Sequence, residues 1–162
     1  MSDTPTDASF VDGGERPLRL IARDGDDVQV VSALLQDAVF PATEMKWDAG
    51  RRRFALLLNR FRWEDVPAAE RRGRAFERVQ ALLIIDDVLR VASQGIDPKQ
   101  SDMILSLLSI DWDETEAPGG TLTLHLAGDG AIALHVDAIE MTLKDVTRPY
   151  IAPSAKQPKH PE

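Results

Sequence analysis

The chain has no cysteine in its 162 residues. Disulfides, thiolate catalysis and cysteine-held zinc or iron–sulfur sites are therefore excluded. It has three histidines, and one of them, His160, stands in a proline-rich C-terminal stretch. No apolar run approaches the roughly 18 residues of a spanning helix, so no membrane contact is expected. The opening MSDTPTDASFVDGGERP has neither a basic start nor an apolar centre. No secretory signal is read there, and a cytoplasmic location is expected. There is no Gly-x-Ser-x-Gly elbow and no phosphate loop, since Gly128-Asp129-Gly130 lacks a third glycine and a following helix. No cofactor is expected.

The length suits one domain with tails, and hydrophobic residues at 43% with charged ones at 28% are ordinary for a globular protein. Residues 1–16 read as a flexible tail, 17–147 as the folded domain, and 148–162, with four prolines, as a disordered tail. The net charge of -8 disfavours wholesale attraction to nucleic acid. That charge is uneven. Ten of the 19 basic residues fall between Lys46 and Arg78 against five acidic ones, so this segment carries +5 and the remainder -13.

Residues 120–145 hold the clearest pattern. Leu122, Leu124 and Leu126 alternate with polar residues, and Ile132, Leu134 and Val136 resume the alternation. A period of two marks half-buried strands. The expected hairpin sets Leu126 opposite Ile132 across a three-residue loop, with Gly130 taking the left-handed conformation. A second hairpin is expected from residues 44–47 to 52–63, and a third from 76–85 to 88–96 around Asp86-Asp87. In the second, Phe54, Leu56 and Leu58 change phase to Phe61 and Trp63; a β-bulge near Asn59-Arg60 would restore one face. The same slip near Asp137-Ala138 makes residues 50–65 and 130–145 resemble two copies of one half. Residues 18–22 read as a short strand. Asp24 fits the N-cap of a helix over about 25–36, with Asp26 and Asp27 in its first turn. Residues 103–112 favour a strand, although Ser101 could cap a helix there. The sum is an α+β domain of mainly antiparallel β structure, about eight strands curled into a barrel or two packed sheets, with one helix.

Candidate chemistry is sparse. In the expected register His125 lies opposite Ala133, and His135 is its diagonal neighbour, roughly 7 Å away at most. The pair is half a metal site, to be completed by Asp137 or Glu140, or else two solvated residues on a sheet face. Asp111, Asp113, Glu114 and Glu116 around Trp112 read more simply as a solvated turn than as a cation site. The stronger lead is basic. Arg51, Arg53, Arg60 and Arg62 on one side of the bulged strand, with Arg71, Arg72, Arg74 and Arg78 nearby, form an arginine-rich face, with Trp47 placed to stack. Such a face suits an acidic protein partner or a homodimer. RNA is the less favoured partner, and a metal-dependent or acid–base enzyme built on His125, His135 and neighbouring carboxylates is the remaining alternative.

On LRLIARDGDDVQVVSALLQDAV, RRFALLLNRFRWE, LLIIDDVLRVASQGID and ILSLLSIDW the chain resembles the alphaproteobacterial domain-of-unknown-function family numbered 2948, over about residues 17–150. The resemblance implies a small bacterial cytoplasmic protein. It implies no activity, cofactor or catalytic residue.

Overall fold

In the computed structural model, residues 17–97 and 102–151 are described. The expected N-terminal tail, and most of the C-terminal one, lie outside them. Mainly antiparallel β structure is what forms, but among the described residues with eleven strands rather than about eight and two α-helices rather than one. The strands are β1 (Arg19–Ala22), β2 (Val39–Pro41), β3 (Met45–Asp48), β4 (Arg53–Phe61), β5 (Glu77–Ile85) and β6 (Val88–Gln94). Then follow β7 (Ile104–Glu116), β8 (Gly119–Leu126), β9 (Ala131–Val136), β10 (Met141–Asp145) and β11 (Tyr150–Ile151). Helix α1 is Gly25–Leu34 and α2 is Val66–Arg72. The sheet path runs β1-β10-β5-β4-β2-β7-β8-β9-β6 without closing, and β3 and β11 pair with β4 and β5. Residues 148–151 are thus partly strand, because Tyr150 and Ile151 pair with Arg78 and Glu77.

Strand β7 joins two halves. Its first residues pair with β2, and from Leu107 onward it pairs with β8. Phe54, Leu56, Leu83 and Ile85 from the first half share one buried cluster with Leu122, Leu124, Ile132 and Leu134 from the second. Helix α1 packs on β7 and β1 and adds Val28 and Val31 to that cluster. Its start is fixed as its sequence indicates: the Asp27 amide donates to Asp24 Oδ1 at 2.8 Å.

Two hairpins form where expected, β3–β4 and β8–β9. The register of the second differs by two residues, with Leu124 opposite Ile132. The loop keeps the expected three residues but sits one position earlier, at Ala127-Gly128-Asp129. Leu126 N–H donates to Gly130 O at 2.8 Å, and the positive φ values fall on Gly128 (81°) and Asp129 (68°), not on Gly130. The third hairpin does not form. Strand β5 lies between β4 and β10 while β6 pairs with β9, so Asp86-Asp87 carries the chain from one half to the other. Residues 137–140 make the reverse crossing from β9 to β10. No bulge interrupts β4, whose pairing with β5 runs unbroken from Phe54 to Phe61. Residues 50–65 and 130–145 therefore fold differently, one holding a single strand and the other two strands in separate halves, so the resemblance between them does not extend to the fold.

Candidate interaction surface

An unbroken β4 keeps strict alternation, so Arg60 stays in phase with Phe54, Leu56 and Leu58 and points inward. Its side chain is 0% exposed. Nε donates to Asp145 Oδ1 at 3.0 Å and Nη2 to Glu64 Oε2 at 2.7 Å. Arg62, 2% exposed, donates to Glu77 and approaches Asp65 Oδ2 at 3.5 Å. Arg74 grips Asp65 with two bonds of 2.6 and 2.7 Å. Burial opposes the charge on Arg60, but hydrogen bonds and charge from Glu64 and Asp145 prevail and raise its pKa. Burial likewise pushes Glu64 up, yet the Arg60 bonds carry it below the usual carboxylate range. Asp65 is lowered by its bonds from Arg74, against burial. Arg60 and Arg62 are therefore closed to a partner, and Arg74, partly exposed, is committed to Asp65. Phe61 and Trp63, read as evidence of a bulge, pack instead as an edge-on ring pair 4.6 Å apart with Phe76 beyond, and Trp63 Nε1 donates to Gln36 O at 2.9 Å.

The remaining cations sit elsewhere. Arg51 is exposed and 3.8 Å from Asp48, Arg53 is held by Asp86 at 2.7 Å, and Arg71 and Arg72 are exposed on α2. Arg78 donates to Asn59 and lies over the Phe61 ring; burial lowers its pKa. The outer side of the first half was not singled out from sequence. Rows across its register read Ile21, Thr142, Ile84 and Ala55, then Arg19, Lys144, Leu82 and Leu57. Ile21 is 47% exposed, and Leu57, Leu82 and Ile84 are half-buried. The elements making substantial contact with β4, β5 and β10 are their sheet neighbours and the turn at Ala42–Glu44, and neither helix is among them. Arg19 and Lys144 on one side and Lys46, opposite Ala55, on the other flank the leucines, and among the described residues none of the three forms an ion pair. Antiparallel sheets usually alternate apolar-in with polar-out; here both parities of β4 and β5 are apolar, a signal legible in FALLL and ALLII.

The histidines do not meet. In the observed register His135 is opposite Thr121 and shares a 3.1 Å hydrogen bond with it, whereas His125 is opposite Ala131 and 2.8 Å from Asp111 Oδ2. Four residues of strand, roughly 13 Å, separate them. Among the described residues there is no group of three or more side chains able to hold a metal. Trp47, expected to stack beside the arginines, instead pairs with Phe54 and lines an apolar cleft of about 320 Å³ between β3 and β6 with Met45, Val91 and Ile96.

A family model described as a protein of unknown function (DUF2948) matches residues 18–160. No curated protein and no solved structure matches the chain.

Proposed function

We propose, for a chain that belongs to the DUF2948 family, an interaction module of the bacterial cytoplasm rather than an enzyme, binding an acidic protein partner through the outer face of β1, β10, β5 and β4. The observation that carries this reading is an apolar patch of Ala55, Leu57, Leu82 and Ile84, flanked by Lys46 on one side and by Lys144 on the other, with Arg19 and the exposed Ile21 beyond. Exposed contiguous apolar surface rimmed by charge marks an interaction site. Cations of one sign at the rim select a partner of the opposite sign and speed its encounter. The arginine-rich region contributes Arg53 at one end of this face and Arg78 at the opposite end, while Arg51 and Arg72 lie outside the apolar patch.

The test is titration of isotope-labelled protein with a synthetic peptide alternating glutamate and leucine. Amide shifts should cluster on Leu57, Leu82, Ile84 and Lys144, and Leu82→Glu should abolish them. Shifts confined to another face would overturn the reading. So would an RNA oligonucleotide that binds this face more tightly and weakens steeply with salt.

A further inference from the structure

Strand β6 is the last strand of the sheet path, with β9 on one side and no strand on the other among the described residues. Edge strands are ordinarily kept from pairing by shortness, charge, proline or a bulge. The other edges follow that rule. Strand β1 has four residues, β11 has two, and β3 has four of which Lys46 and Asp48 are charged. Strand β6, VLRVASQ, has seven residues with Arg90 as its single charge and no proline. Its one irregularity falls at its start, between Val88 and Arg90, and from Arg90 to Gln94 the ladder with β9 is regular.

The direction of the free backbone groups follows from the neighbouring hairpin. Leu126 N–H bonds to Gly130 O, so on β9 Ile132 and Leu134 turn their backbone groups toward β8. Ala131, Ala133 and His135 turn theirs toward Gln94, Ala92 and Arg90 of β6. The N–H and C=O groups of Val91 and Ser93 are left pointing outward.

We infer that this edge pairs with the same edge of a second copy, antiparallel, about a twofold axis at Ala92. In that register Val91 faces Ser93 of the second copy, and each such pair exchanges two backbone hydrogen bonds. Arg90 faces the Gln94 amide of the second copy, so the one charge on the strand never meets itself. Two exposed alanines meet at the axis, where only methyl groups face each other. The edge is self-complementary, as a twofold interface requires. The two copies share one continuous sheet through their β7-β8-β9-β6 halves. This pairing leaves the proposed acidic-partner face, in the other half, uncovered.

The experiment is light scattering after gel filtration of the full chain across a concentration series, with hydrogen exchange on the same samples. The wild type should move from 17.9 kDa toward twice that mass as concentration rises, with the Val91 and Ser93 amides slow to exchange in the larger species. Ser93→Pro removes an outward N–H while sparing the ladder to β9, and should hold the chain at the monomer mass. Ala92→Arg, at an exposed position, sets like charges across the axis and should do the same while melting with the dilute, monomeric wild type, which covers the case in which the proline variant fails to fold. A wild type that stays monomeric at millimolar concentration overturns the inference. A dimer unaffected by Ala92→Arg does so equally.

Discussion

Arg60 Nε and Asp145 Oδ1 meet at 3.0 Å in a place closed to water, the two side chains being 0% and 3% exposed. The contact joins β4 to β10 across β5, and Glu64 completes it from the turn after β4. Removing one member of a buried pair leaves the other charged without its partner, at a cost of about 3–5 kcal/mol. Arg60→Met is expected to lose stability on that scale in urea unfolding. Arg60→Met combined with Asp145→Leu should recover much of it. Equal losses in the single and double variants would show that packing, not charge, holds this junction.

Acid should unfold the protein through the same junction. Glu64 and Asp65 have folded pKa values below their unfolded ones, Glu64 held down by Arg60 against burial and Asp65 chiefly by Arg74. A lowered carboxylate contributes stability that is fully present above its unfolded pKa, about 4, and is lost as pH falls through its folded value. The melting temperature should therefore owe nothing to these groups' titration between neutrality and about pH 5, and should fall steeply below about pH 4. Asp65→Asn should lower the neutral plateau and flatten the acid limb. An unchanged acid limb in that variant would remove Asp65 from the account.

Local features of this fold were legible in the residues that make them. The Asp24 cap needs only its neighbours, and the β3–β4 hairpin needs only its own two strands and turn. Periodicity says which face a residue takes but not which strand lies beside it. Asp86-Asp87 looks like a hairpin turn, yet β5 finds β4 and β10 while β6 finds β9, all distant in sequence. Arg60 had a local signal, its phase with Leu58. That signal was outweighed by Phe61 and Trp63, whose opposite parity reflects burial of both strand faces where Phe76 and Gln36 come in. The histidine pair failed on a register shift of two residues, which moves side chains along a face without changing the face.

Asp24 offers a prediction on the scale of a single hydrogen bond. Its carboxylate satisfies the Asp27 amide at the start of α1, the helix that packs on β7 and β1. Asp24→Ala should cost about 1 kcal/mol, and Asp24→Ser should restore most of it. Denaturant midpoints at constant slope would measure both; a loss that serine does not repair would point to a role other than capping.

Gly120 is where the backbone leaves no room for a methyl group. It lies on β8 opposite Glu114, with the Trp112 ring stacked over it. A Cβ there would sit 2.3 Å from Asp113 O and 2.8 Å from the Trp112 ring. The ring could turn aside, but the Asp113 carbonyl belongs to the β7–β8 ladder and moves only with the strand. Gly120→Ala should therefore destabilise by at least the 1–3 kcal/mol typical of overpacking. Trp112→Ala in the same chain should relieve little of that loss, since the tighter contact is with backbone. Gly128→Ala separates crowding from conformation: it has open space around it but φ of 81°, so its cost is strain alone. If Gly120→Ala melts with the wild type, β7 and β8 are farther apart at this point than the register allows.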